Sequence, residues 1–477
     1  MEIEPRDALP LDRKERVFLP FKDLCLRKVE ERIRDFDEVV LTFDEDRARF
    51  EASRCIQCPE PAGCVTACPL HNDIPAAMWQ AEKGNFIEAA RIFRRTSTMP
   101  EICGRVCPQE QLCQGGCVLN KSGEPVLIGA VEYFVTGYER ENSQVRIKRG
   151  NPSGKTAAVI GGGPAGLACA ERLLEKGHSV TVFDSRPIPG GLLMYGIPGF
   201  KLNNKILFTK LRDLIDGGVN FVNRVMIGKD ITVDQLLEQG FDAVFIGVGA
   251  GEDTRMNVPG ENLAGVMYGI EFLIRANVPL EYLPEGMVSR PDVGQKVVVI
   301  GGGDTASDCL RTAIRLGVQD VTCVYRRDEN EMPGVLKDRK MAKEEGAKYL
   351  FLTQPVRFLG DARGRVTQIE CIRMELGEPD QSGRRRPVPV PDSNFYIDAD
   401  TVILALGYHP HPLIGETTPG LNTHHGGLIV IQPETCATSR QEIFAGGDIV
   451  NGPDLVVTAV ADGQRAAAAI DRFLRGE

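Results

Sequence analysis

Eight of the chain's 14 cysteines fall between positions 55 and 117, in two groups. The first reads C-x2-C-x5-C-x3-C-P and comprises Cys55, Cys58, Cys64 and Cys68. The second reads C-x3-C-P-x4-C-x3-C and comprises Cys103, Cys107, Cys113 and Cys117. Thiols crowded at this spacing can bind metal, pair as disulfides or carry electrons. Runs ending in Cys-Pro belong to electron carriers with two iron–sulfur clusters, where the fourth cysteine of a run serves the other cluster. By that logic Cys55, Cys58 and Cys64 share a cluster with Cys117, and Cys68 joins Cys107 and Cys113. Cys103 or some other residue takes the last place. Structural zinc favours paired C-x2-C knuckles, and only Cys55 and Cys58 have that spacing. Zinc and uncoordinated thiols are the competing readings. The scattered Cys25, Cys169, Cys309, Cys323, Cys371 and Cys436 read as small core hydrophobes.

Two further motifs bind dinucleotides. Gly161, Gly163 and Gly166 form G-x-G-x-x-G after the strand-like "TAAVI", with Pro164 and Ala165 opening a helix. The first glycine permits the tight turn, the second a close approach of pyrophosphate, the third close helix packing. Asp184 ends the next strand, where a ribose hydroxyl needs an acceptor. "PGGLLMYGIPGFKL" follows, with Gly190, Gly191 and Leu192. Near the C-terminus "FAGGDIV" offers Gly447 and Asp448 to the ribityl or pyrophosphate end of a flavin, and a helix starting near Thr458 points its positive end at the isoalloxazine. The first site therefore reads as FAD. The second fingerprint is Gly301, Gly303 and Ala306, with Gly302, Asp304 and Thr305 between them. Its following strand ends in Tyr325, Arg326 and Arg327 rather than an acid, which favours a 2'-phosphate and hence NADP(H) over NAD(H). A solvated arginine pair is the bland alternative. Ala405 and Gly407, in "ILALG", complete the expected lining of this site.

Hydride transfer from nicotinamide to flavin needs two apposed rings and no acid or base, so no catalytic side chain is assigned. Neither "GGGDTASDC" nor "GGLLMYGIP" holds a cysteine pair, which disfavours a redox disulfide. A flavin takes two electrons as hydride and can release them singly, and a one-electron carrier would receive them. This agrees with two [4Fe-4S] clusters.

The elements that must position these groups follow from the pattern. Residues 1–150 carry helical periodicity in "NFIEAARIFRRTS" and "IGAVEYFVTGYERE". After the turn-rich "RGNPSGK", short β-branched runs alternate with glycines and helices, as in parallel sheets. "AVIGGGPAGLACAERLLEKG" aligns without a gap on "VVIGGGDTASDCLRTAIRLG", so the chain holds two nucleotide-binding half-units. The expected fold class is α/β, with two Rossmann-like domains and an N-terminal α-helical iron–sulfur domain. The NADPH-binding domain is inserted in a split FAD-binding domain. The expected division is 1–150 for the clusters, 151–288 with 411–477 for FAD, and 289–410 for NADPH. The 477 residues suit two to four domains. A net charge of −10 argues against nucleic acid and anionic membranes as partners. No run approaches the roughly 20 apolar residues that span a bilayer. The charged start, "MEIEPRDALPLDRKERV", has no apolar secretory region, so the expected compartment is the cytoplasm.

From about residue 20 onward the chain resembles the small (beta) subunits of bacterial NADPH-dependent glutamate synthases. The shared motifs are "TMPEICGRVCPQEQLCQGGC", "GGLLMYGIPGFKL", "GGGDTASDCLRTAIRLG", "CVYRRDENEMPG" and "IFAGGDIVNGPDLVVTAVADGQRAA". The wider family includes the N-terminal part of dihydropyrimidine dehydrogenase and ferredoxin- or sulfide-linked oxidoreductase subunits, and its fold is adrenodoxin-reductase-like. The resemblance implies that NADPH reduces FAD and that electrons pass through two [4Fe-4S] clusters to a large (alpha) subunit in a hetero-oligomer. That partner would carry FMN and make glutamate from glutamine and 2-oxoglutarate. Glu2 stands where a glutaminase would need an N-terminal cysteine, so this chemistry is not expected here. A related NAD(P)H:ferredoxin or sulfide dehydrogenase-type subunit is the alternative. The resemblance also implies that Glu132, in "IGAVEYF", competes with Cys103 to complete one cluster. Lys201 stands where relatives often have arginine near the FAD phosphates. Five residues between Cys58 and Cys64, where four are expected, set this loop apart.

Overall fold

A computed structural model describes residues 12–143, 145, 147–380, 383–424 and 426–477. Most of the start read above as lacking a secretory leader, Glu2 included, lies outside the described residues.

The repeat folds in register. Strand Thr156–Ile160, helix Pro164–Glu175 and strand Ser179–Asp184 match strand Lys296–Ile300, helix Asp304–Arg315 and strand Asp320–Val324. Each set lies in its own five-stranded parallel sheet. The first runs Ile443–Ala445, Ala243–Ile246, Thr156–Ile160, Ser179–Asp184, Asn220–Asn223. The second runs Val266–Tyr268, Thr401–Leu404, Lys296–Ile300, Asp320–Val324, Lys348–Leu350. Val159, Ile160, Val299 and Ile300 are buried, because helices cover both faces of such sheets. An antiparallel sheet of Thr353–Gly360, Val366–Pro379, Arg385–Pro389 and Phe395–Asp398 is attached to the second unit.

The boundary expected at 288/289 needs correction. Val266–Tyr268 already pairs with Thr401–Leu404, and Phe272 and Leu273 of helix Gly269–Asn277 sit in the second unit's core. We place the crossing at the antiparallel ribbon of Glu252–Asp253 with Tyr408–His409. A three-residue strand is too short to announce itself in the sequence.

The helices read from periodicity form at Phe86–Thr96 and Ile128–Asn142, joined by Glu45–Ser53, Ile74–Glu82 and Pro100–Val106. Their apolar faces share one continuous core with the FAD unit, from Phe43 and Phe93 through Val135 to Leu167 and Ile470. The N-terminal segment adds a link that no local pattern announces. The Arg32 Nε donates to Glu345 Oε1 at 2.9 Å, and Glu345 also accepts from Arg311 and Arg315. Such a buried ionic group contributes little net stability but fixes how the parts sit.

Candidate active site and metal centres

The cysteines meet as the interleaved reading expects. Cys55, Cys58, Cys64 and Cys117 line one small cavity. Cys68, Cys103, Cys107, Cys113 and Glu132 line another. Glycines make both meetings possible. A Cβ on Gly63 would lie 2.3 Å from the Gly116 carbonyl oxygen, so the segments carrying Cys64 and Cys117 touch backbone to backbone. A Cβ on Gly104 would lie 2.8 Å from the Tyr133 nitrogen, where helix Pro100–Val106 crosses helix Ile128–Asn142 and brings Cys103 to Glu132.

Burial pushes the Cys55 and Cys64 thiols up to about 12, and the neighbouring thiols of their own group add to the rise. Burial, helped by Cys103, also raises the Glu132 carboxyl well above its ordinary range, and its Oε1 has no partner among the described residues. Backbone N–H groups of Gln57 and Asn72 face the sulfurs of Cys55 and Cys68 and favour thiolate. Among the described residues, no three His, Cys, Asp or Glu side chains converge as ligands of a single ion. Each set of cysteines lines one cavity, and thiolates are the ligands that iron–sulfur clusters take. The donor set fits an iron–sulfur cluster in each place.

The first fingerprint opens onto a cleft of about 330 Å³ lined by Gly161, Gly163, Pro164, Ala165, Asp184, Gly191, Leu192, Gly447 and Asp448. Gly161 has φ +96, and a Cβ there would lie 2.4 Å from the Gly247 oxygen. Gly166 packs against the Gly161 oxygen and Gly190 beneath Leu207, so both shape the cleft from behind. Asp184 accepts from the backbone N–H of Gly162 and of Arg186, both at 2.7 Å, and burial raises its pKa. The helix at the far wall, Val456–Arg475, begins beside the cleft, but Val456 and Ala459 line it. The helix expected to start near Thr458 thus starts two residues earlier, and Thr458 turns its hydroxyl back to the Leu455 carbonyl at 2.7 Å. Tight backbone turns, acidic acceptors and a long helix N-terminus fit FAD.

Lys201 is also corrected. It does not line this cleft. Its Nζ lies 2.7 Å from Asp338 Oδ2 and 3.1 Å from Asp308 Oδ1, both in the second nucleotide unit. These carboxylates hold its ammonium well above the ordinary range despite burial. The turn that carries it buries Phe200 beneath the Arg311 and Arg315 guanidiniums. The loop is therefore committed to the interface between units.

At the second fingerprint a Cβ on Gly301 would lie 2.1 Å from the Ala405 oxygen, while Gly303 has open space before it. Asp304 Oδ1 accepts from the Val335 N–H at 2.8 Å. Thr305 accepts from the Tyr408 hydroxyl at 3.4 Å, and Gly407 has φ +94 where the chain leaves the sheet. The two arginines part company. Arg326 is exposed and makes no ion pair among the described residues. Arg327 is buried, donates to the Arg385 carbonyl and pairs with Asp380 at 2.7 Å. The expected two-arginine clamp is reduced to Arg326.

Comparison with known proteins agrees with both halves. Residues 32–144 match the family "dihydropyrimidine dehydrogenase domain II, 4Fe-4S cluster", and residues 155–463 match "pyridine nucleotide-disulphide oxidoreductase". The glutamate synthase [NADPH] small chain of Escherichia coli is 42% identical over 475 residues, covering 96% of this chain and 97% of that one. The chain belongs to the glutamate synthase small-chain family. An E. coli oxidoreductase, AegA, is 44% identical over 94% of this chain and 68% of its own length. Among solved structures, FprA of Mycobacterium tuberculosis aligns over 68% of this chain and 85% of its own with a TM-score of 0.58, at 22% identity, and shows the shared fold. As a member of this family the chain is an NADPH-dependent oxidoreductase that passes electrons from FAD to iron–sulfur. None of the described helices is long and apolar enough to cross a membrane.

Sequence reasoning missed Asp462, although it lies in a small-chain motif, "VADGQRAA". Its Oδ2 accepts from the Gly447 N–H at 2.9 Å and from Asn451 at 2.8 Å, so it holds the Gly447–Asp448 turn against the flavin cleft. Arg465 pairs with the same carboxylate. Gly463, its neighbour, would put a Cβ 2.1 Å from the Ala165 oxygen and so lets the last helix close on helix Pro164–Glu175.

Proposed function

We propose that this chain is the electron-input subunit of a hetero-oligomeric glutamate synthase in the cytoplasm, with two [4Fe-4S] clusters and a large subunit carrying FMN. That partner would release ammonia from glutamine and reductively aminate 2-oxoglutarate. One observation supports the relay. The inner cysteine cavity, with Cys68, Cys107 and Cys113, is also lined by Val457, whose neighbours Leu455 and Val456 line the flavin cleft. Ile74 and Ile128 line both cysteine cavities. In the outer group Cys58 and Cys117 are half-buried and nearest to solvent. The route therefore runs from cleft to inner group to outer group to partner.

FAD, when bound, takes two electrons from NADPH as hydride and releases them singly. The chain's own residues bind and orient. Gly161, Gly163 and the start of helix Pro164–Glu175 receive the flavin's pyrophosphate, Asp184 its ribose, and Asp448 its ribityl side. Gly301 to Thr305 receive the NADPH pyrophosphate, and Arg326 its 2'-phosphate. Ala405 and Gly407 complete that wall. Cys55, Cys58, Cys64 and Cys117 hold the outer cluster. Glu132 completes the inner one in this reading, because its buried Oε1 has no hydrogen-bond partner among the described residues, and Cys103, on the same cavity, is the competing ligand.

The test is NADPH oxidation by the chain alone and with the large chain. Alone it should reduce an artificial acceptor and make no glutamate; with the partner, oxidation should depend on glutamine and 2-oxoglutarate. Turnover with ferredoxin and none with the large chain would favour the alternative subunit type.

A further inference from the structure

The loop between the second nucleotide unit's arginines and helix Leu336–Glu344 touches two sites at once. On one side it lies on the NADPH fingerprint. Gly334 N–H donates to the Gly302 carbonyl at 3.1 Å, and Val335 N–H donates to Asp304 Oδ1 at 2.8 Å. The fit is close: a Cβ on Gly334 would lie 3.0 Å from the Gly302 oxygen. Tyr325, whose ring fills the space beside Gly302, donates to the Glu331 carbonyl at 2.8 Å and fixes the start of the loop. On the other side Leu336 N–H donates to Glu110 Oε1 at 2.7 Å. Glu110 sits in the turn Gln109–Gln111, between Cys107 and Cys113. A single loop, bonded through three consecutive N–H groups, thus joins the pyrophosphate turn to the segment that carries two ligands of the inner group.

We propose that Glu110 is a positioning residue that couples nucleotide occupancy at Gly301–Asp304 to the environment of the inner cluster. A pyrophosphate arriving at Gly302 and Gly303 meets backbone already bonded to Gly334 and Val335. Any shift of that loop reaches Glu110 through the Leu336 N–H, and hydrogen bonding around cysteine ligands is one of the factors that set a cluster's potential. The inference rests on the assignment of a cluster to Cys68, Cys107 and Cys113.

The experiment uses the cluster-loaded holoprotein, titrated by EPR-monitored potentiometry with and without NADP+. The inner signal is the one that Cys113→Ser alters. Its midpoint potential should shift on NADP+ addition in the native chain and in Glu110→Gln, which keeps an acceptor oxygen. The shift should vanish in Glu110→Ala while iron content and the NADP+ affinity of the oxidised protein stay unchanged. Leu336→Pro should abolish it too. This change removes the donor at the cost of one exposed side chain, because proline is well accommodated at a helix's first position and the preceding Val335 is extended. It also serves if Glu110→Ala fails to load its cluster. An NADP+-induced shift of native size in Glu110→Ala or Leu336→Pro, or none in the native chain, overturns the proposal. Lack of any iron signal would instead contradict the cluster assignment.

Discussion

Arg326 and Arg327 end the same strand with different duties. The exposed Arg326 is free to pair with a 2'-phosphate, a charge-assisted contact of about 1.5–3 kcal/mol. Arg326→Ala should raise the Michaelis constant for NADPH about tenfold to a hundredfold and leave that for NADH nearly unchanged; steady-state kinetics with both nucleotides checks this. Arg327→Ala removes a buried guanidinium from its half-buried partner Asp380 and from the Arg385 carbonyl and should cost about 1.5–3 kcal/mol in denaturant unfolding. Asp448 gives a pH signature. Burial raises its carboxyl to about 7, against about 4 in an unfolded chain. The folded flavin-free protein then holds a proton that the unfolded chain has lost, so stability falls as pH rises from about 4 to 7. Thermal melts of flavin-free Asp448→Asn should show a shallower decline across that window, and an unchanged slope would mean that Asp448 does not titrate there.

At the scale of elements, two glycines separate packing from binding. Gly463 is where the last helix meets helix Pro164–Glu175, and its absent Cβ would strike the Ala165 oxygen. Gly463→Ala should destabilise the fold by about 1–3 kcal/mol and release flavin, read as a lower melting temperature and lost absorbance near the cleft's ligand. Gly303 has no atom within reach of a Cβ, so Gly303→Ala should melt normally and lose only nucleotide affinity. Both fingerprints were legible in the sequence because strand, glycines, helix and strand recur within each copy. The cysteine grouping was legible because ligand order follows spacing. The fates of Lys201 and Arg327 were not. Each is decided by a carboxylate on another element, Asp338 and Asp380, and ion pairs that close over many residues leave no periodic trace. The strand Val266–Tyr268 was hidden by its shortness, which placed the unit boundary too late.

At the scale of the whole molecule, the helical unit and the FAD unit share one core, so the two cysteine groups are held by the same packing that shapes the flavin cleft. The NADPH unit is fastened separately, through the ribbon Glu252–Asp253 with Tyr408–His409 and the buried Arg32–Glu345 contact. That contact joins residues 313 apart in the chain and was invisible in the sequence. The central claim is that hydride equivalents entering at the second unit leave as single electrons through two cysteine groups. The most direct measurement is anaerobic titration of the purified chain with NADPH, followed by absorbance and low-temperature EPR on protein of known metal content. About eight iron atoms and eight acid-labile sulfides per chain, bleaching of a flavin band and reduced-cluster EPR signals are the predicted result. Stoichiometric zinc with no acid-labile sulfide, or a flavin that bleaches with no cluster signal at any potential, would contradict it.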